Sequence, residues 1–158
     1  MTTAPVIFLD FDGVLIGPDD ASSNSAIREL TQLCRHTGAA LIFITSLRYR
    51  FDVAQLHAMM LQNGFDATLP FVGEVRDLSD WRDAVGRGQW PSQKRLSKAE
   101  EIAAFLEANP EIERFVIIDD DDPRKFAPYE DFTVSPCGVF SAEDRLAAIA
   151  LLTKSDSP

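Results

Sequence analysis

Cysteine is scarce in this chain: Cys34 and Cys137 are the two present among 158 residues. That excludes a disulfide framework and, at that spacing, a cysteine-based metal site, so both read as reduced thiols. Long apolar runs are missing too. The first, Val6 to Leu9, falls far short of a membrane span, and Met1 to Pro5 place no basic cluster in front of it, so the expectation is a cytoplasmic protein. Basic residues are outnumbered, 15 Lys and Arg against 25 Asp and Glu, giving a net charge of -10 and a pI near 4.5. A surface of that sign excludes indiscriminate binding of polyphosphate chains. The deficit is uneven, however: residues 48–98 hold eight basic and six acidic side chains, so the rest of the chain carries all of it. What is present in quantity is ordinary globular material, 46% hydrophobic and 25% charged, at a length that suits one domain over residues 1–158 with no repeat or low-complexity tract.

Val6-Ile7-Phe8-Leu9, Leu41-Ile42-Phe43-Ile44 and Phe115-Val116-Ile117-Ile118 are short continuous apolar runs, the pattern of strands buried on both faces of a parallel sheet. A weaker strand is expected near Leu69 to Val72, where Pro70 fits an edge, and a short one near Phe132 to Val134. Helices alternate with them. The Ser22–Ser25 cluster caps the first, with Ile27, Leu30 and Cys34 on one stripe and Gly38 closing it. A second runs from Asp52 to Gln62, a third starts at Ser97 with Glu100 completing a capping box and Ile102, Phe105 and Leu106 buried, and a last spans Ser141 to Leu152. Residues 73–93, with Trp81 and Trp90 among charges and glycines, read as a small insertion or irregular loop, and 153–158 as a tail beyond a 6–152 core. Both tryptophans are expected to anchor local packing, and His36 and His57 to occupy helix surfaces or boundaries.

Strands alternating with amphipathic helices predict an α/β three-layer Rossmann-like sandwich around a central parallel sheet in the order 3-2-1-4-5. Chemistry in such a sheet gathers beyond the carboxyl ends of the strands, where the order reverses. The ends of strands one, two and four carry Asp10 and Asp12, Thr45 and Ser46, and Asp119 and Asp120. Two carboxylates two residues apart at a strand end suit a hard cation such as Mg²⁺, with Gly13 allowing the backbone to turn away. Asp119 to Asp122 crowd four acids after a strand, which also asks for a cation. Thr45 offers a hydroxyl next to backbone amides that can hold phosphate oxygens. Lys98 sits in the first turn of a helix, where the dipole disfavours a cation unless an anion is near; Lys94 competes for that role. Each feature alone is compatible with a solvated turn.

Together, Asp10-Phe11-Asp12-Gly13-Val14-Leu15, the Thr after strand two, the Lys at a helix start and the apolar strand ending in Asp119-Asp120 resemble the haloacid dehalogenase-like (HAD) hydrolase superfamily over residues 6–125. Thr45-Ser46-Leu47-Arg48 and Lys98, Ile102, Asp119 and Asp120 are similar to its small capless branch found in predicted RNA-repair proteins. The resemblance implies a Mg²⁺-dependent phosphomonoesterase in which Asp10 is the nucleophile, Asp12 the general acid and base, Thr45 the phosphate anchor and Lys98 the charge neutraliser. Mg²⁺ would be held by Asp10, the Asp12 carbonyl and Asp120, with Asp119 supporting. Too few residues separate the motifs for a folded cap, so the site is expected to be open.

An open site recognises a small metabolite poorly, which favours a phosphate on a macromolecule, such as a nucleic-acid end or a phosphoprotein. Ser46, Arg48 and Arg50, just beyond Thr45, are the candidates for binding it, the two guanidinium forks gripping a second phosphate. A small-metabolite or nucleotide phosphatase, and a catalytically idle phosphate-binding regulatory domain, stand as the alternatives.

Overall fold

The computed structural model describes residues 3–19 and 21–153. Strands β1 (Val6–Leu9), β2 (Ala40–Phe43), β3 (Phe71–Glu74), β4 (Phe115–Ile118) and β5 (Thr133–Val134) form one sheet in the order β3-β2-β1-β4-β5. Every neighbouring pair is parallel. The helices among the described residues are α1 (Asn24–Thr37), α2 (Val53–Gln62), α3 (Ser79–Gly86), α4 (Lys98–Ala108) and α5 (Ala142–Thr153). None is long and apolar enough to cross a membrane.

Alternation along the three central strands divides the core in two. Ile7, Leu9, Leu41, Phe43, Val116 and Ile118 face one layer, which buries them under α1, α2 and α5. Val6, Phe8, Ile42, Ile44 and Ile117 face the other, against Ile102 of α4 and Phe126. That second face is the one toward which the next residues in phase, Asp10 and Asp119, project.

The caps are those the sequence signals. Ser23 caps α1 through the Ala26 amide, and Gly38 closes it in the left-handed region at φ 70°. Asp52 with Gln55 and Ser97 with Glu100 both form full capping boxes, at α2 and α4. Three expectations need correction. β3 lies two residues later than its apolar run suggested, because an edge strand half open to solvent has no continuous burial to mark it and its pairing with β2 shifts register between Leu41 and Ile42. Residues 73–93 are not irregular throughout: they complete β3 and form α3, which buries Ala84. Trp81 packs edge-on against Tyr49, but Trp90 is 96% exposed and anchors nothing. His57, half-buried in the middle of α2, stacks on Phe71. Thr153 ends α5, and residues 154–158 of the expected tail lie outside the described residues.

Candidate active site

Register brings the strand ends level. Leu9 of β1 pairs with Phe43 of β2 on one side and with Ile118 of β4 on the other, so Asp10, Ile44 and Asp119 leave the sheet side by side. The Asp10 amide continues the ladder to the Ile118 carbonyl at 2.9 Å, and the Ile44 amide donates to Leu9 at 3.0 Å. Beyond Asp10 the chain does not run on as a strand. Phe11, Val14 and Leu15 bury themselves while Asp12 and Ile16 bridge at the base of a small flap that returns at Ser22.

Asp10 and Asp119 are buried and Asp120 is exposed, and one carboxylate oxygen from each lies within 4.8 Å of the others. Lys98 Nζ donates to Asp119 Oδ2 at 2.8 Å and stands 3.4 Å from Asp10 Oδ1. Burial pushes Asp10 up to about 7, with Lys98 pulling it down and Asp119 pushing further upward. Burial, Asp119 and Asp121 likewise raise Asp120. Burial pulls Lys98 down, but Asp10 and Asp119 outweigh it and hold the ammonium above its ordinary value. One lysine thus faces three carboxylates, an arrangement short of positive charge and suited to a hard divalent cation. Gly13 fits the same reading. It adopts φ 75°, and a Cβ there would collide with the Asp120 carboxylate, so the chain leaves room for that carboxylate beside the strand end.

The other sequence candidates distribute as follows. Asp12 stands outside the acidic cluster, solvent-exposed, lining one cleft with Gly13 and Asp120 and an apolar groove with Leu47, Arg50, Phe51 and Met59. Thr45 is fully buried at the start of a 3₁₀ turn (Ser46–Tyr49), its Oγ1 accepting from the Leu47 amide. Ser46 is exposed and shares a cavity with Lys98. Lys94 is exposed, and the Lys98–Asp pairings leave it no part in the cluster.

Arg48 is the correction. Expected to reach for a substrate phosphate, its side chain is fully buried and its donors are taken by the protein. Nε binds the Thr45 carbonyl at 2.9 Å, Nη2 binds Glu101 Oε1 at 2.8 Å, and Nη1 reaches the Arg76 carbonyl and Glu74. Glu74 also takes Arg82. Part of the basic surplus in residues 48–98 is therefore spent inside, on acids the sequence did not single out. Glu101 had a legible signal: Lys98, Glu101, Ile102 and Phe105 fall on one face of α4 by helical spacing, which puts an acid on the buried stripe. Tyr49 and Arg95, whose guanidinium lies 4.4 Å from the Tyr49 ring centroid, carried none.

A family model described as the HAD domain in Swiss Army Knife RNA repair proteins matches residues 6–136, from the first residue of β1 to just past β5. The chain belongs to that family. As a HAD domain it falls among phosphatase-type hydrolases, and its acidic cluster occupies the strand ends at which that fold does its chemistry. Searches of curated proteins and of solved structures found no match.

Proposed function

We propose that this HAD domain is a Mg²⁺-dependent phosphomonoesterase that works through an aspartyl-phosphate on Asp10, with a substrate phosphate carried by a macromolecule. The observation that carries the reading is the buried Asp10, held by Lys98 beside Asp119 and Asp120. A carboxylate at the end of a central strand, fixed by a cation and flanked by two more acids, is a positioned nucleophile.

Asp10 attacks phosphorus, forming the P–Oδ bond as the bond to the leaving alcohol breaks, and Asp12 gives its proton to that alcohol's oxygen. Water then attacks phosphorus, Asp12 takes a proton from it, and the P–Oδ bond breaks to release phosphate and free Asp10. Mg²⁺, held by Asp10, Asp120 and the Asp12 carbonyl with Asp119 supporting, would neutralise charge as the phosphate dianion meets the carboxylate. The turn that Thr45 opens and caps holds the phosphate from the β2 side, and Lys98 neutralises its oxygens from α4.

Asp12, which protonates the leaving oxygen, also borders the groove lined by Leu47, Phe51 and Met59, with Arg50 on its rim, a path for the part of the substrate beyond the ester. An apolar floor with one exposed guanidinium suits a base followed by a phosphate. The family's description, which names RNA repair proteins, favours a nucleic-acid end over a phosphoprotein. Steady-state kinetics on an oligonucleotide phosphate, a phosphopeptide and free nucleotides, with Arg50→Ala beside the parent, test the substrate reading. It predicts the highest kcat/KM for the oligonucleotide and a raised KM for it in Arg50→Ala; a far higher kcat/KM on a free metabolite overturns it.

A further inference from the structure

Beside Lys98 lies a cavity of about 270 Å³ that none of these steps uses, bordered by Ser46, Tyr49, Arg95, Lys98, Glu101 and Lys125. Two of the buried side-chain atoms that lack a hydrogen-bond partner among the described residues, Tyr49 Oη and Glu101 Oε2, belong to residues that line it. Both residues are more than nine-tenths buried, at 9% and 2% exposure. Leaving such groups unpaired is costly, and it happens here at two residues lining one cavity.

The chemistry of the lining narrows what fills it. A phosphate or carboxylate would suit Tyr49 and Arg95 but would press against the Glu101 carboxylate. An ammonium would suit Glu101 but would face Arg95, Lys98 and Lys125. A neutral hydroxyl both donates and accepts: it can donate to Glu101 Oε2 and accept from Tyr49 Oη or Arg95. Glu101 lies three residues past Lys98 on the same helix face, so a sugar ring whose phosphate sits at Lys98 lies beside the helix turn that carries Glu101. Ordered water is the rival occupant, and the binding test below separates the two.

We propose that this cavity is a hydroxyl pocket, which selects phosphate esters of a sugar carrying a free hydroxyl on the carbon next to the phosphorylated one; the ribose at an RNA end has that chemistry and deoxyribose lacks it. Tyr49 and Glu101 are its selecting residues. The inference rests on the phosphate-site reading above, and binding is measured separately from turnover so that each can fail alone.

The probes are short fluorescent oligonucleotides of one sequence, titrated in the presence of Mg²⁺ into Asp10→Asn protein, which keeps the shape of the site without the nucleophile. One ends in a 3′-phosphate beside a 2′-hydroxyl, one in a 2′-phosphate beside a 3′-hydroxyl, one in a 3′-phosphate on 2′-deoxyribose, and one carries a 5′-phosphate. The proposal expects one of the first two to bind at least about tenfold more tightly than the last two, as a hydrogen bond to a buried charged group allows. Adding Tyr49→Phe, a substitution that retains the ring against Trp81 and Arg95, should cut that preference at least about threefold; Glu101→Gln, checked for folding by its melt, should cut it further. Equal binding of the ribose and deoxyribose ends, tighter binding of the 5′-phosphate, or a preference unchanged in Tyr49→Phe overturns the proposal and leaves the cavity to ordered water. If the preference holds while no phosphate ester is hydrolysed, the hydroxyl pocket stands and the phosphatase reading fails.

Discussion

Replacing Asp10, the proposed nucleophile, should make the metal-free protein more stable. In the unfolded chain Asp10 ionises near 3.8, and in the folded chain burial raises this to about 7. Below pH 3.8 the carboxyl is protonated in both states and costs nothing. Between 3.8 and 7 the unfolded chain gives up its proton first, so stability falls as pH rises, and above 7 the full cost is present. A gap of about three units at 1.36 kcal/mol each sets a ceiling of roughly 4 kcal/mol. Asn at this position also forfeits the contact with Lys98, so about 2–4 kcal/mol should remain, or roughly 6–12 °C in Tm for a chain of this size. The assay is a pair of melts of wild type and Asp10→Asn in EDTA at pH 8 and pH 5. The variant should melt higher at pH 8, the difference should shrink by more than half at pH 5, and Mg²⁺ should narrow it at pH 8 by stabilising the wild type. A variant that melts lower than wild type at pH 8, or a gain that does not change with pH, refutes the reasoning that Asp10 is held ionised against its burial.

Lys98→Ala should cost about 3 kcal/mol of transition-state stabilisation, a loss of more than 100-fold in kcat/KM on an aryl phosphate, while Lys94→Ala should change it less than about threefold; the reverse ranking would move the neutralising charge to Lys94. Arg48→Ala should destabilise the fold by about 3–5 kcal/mol in urea titrations, because it strands Glu101 and part of Glu74 without a partner, and a near-normal midpoint would show that the guanidinium is not the internal clamp described here. Gly13→Ala should weaken Mg²⁺ binding at least about tenfold by isothermal titration, since the new Cβ displaces the Asp120 carboxylate and strains a left-handed φ; unchanged affinity would remove Asp120 from the metal set.

The sheet was legible where burial is two-sided. β1, β2 and β4 are apolar at every position because both faces are covered, and the residues that end them announce the site. β3 was displaced because Pro70 and Gly73 interrupt an edge whose burial is only partial. α3 was missed because its eight residues have no side-chain cap and bury only Ala84. Asp10, Lys98, Asp119 and Asp120 could be placed together from local signals, each sitting at a strand end or a helix start. Arg48 could not be placed, since what decides its role is its partnership with Glu74 and Glu101, 26 and 53 residues away. An arginine next to a phosphate anchor and an arginine locked into the core have the same neighbours in sequence. The same distance hid the hydroxyl pocket, which exists only once the 3₁₀ turn carrying Tyr49 meets the face of α4 carrying Glu101.

The most direct test of the chemistry is to look for the covalent intermediate. Wild-type protein mixed with Mg²⁺ and an aryl phosphate, quenched in acid within a single turnover and digested, should yield a peptide containing Asp10 with one phosphoryl group added, while Asp10→Asn and the EDTA-treated wild type should show neither the adduct nor turnover. Mg²⁺-dependent hydrolysis that persists in a clean preparation of Asp10→Asn, or an adduct on any residue other than Asp10, would contradict the assignment of this aspartate as the nucleophile.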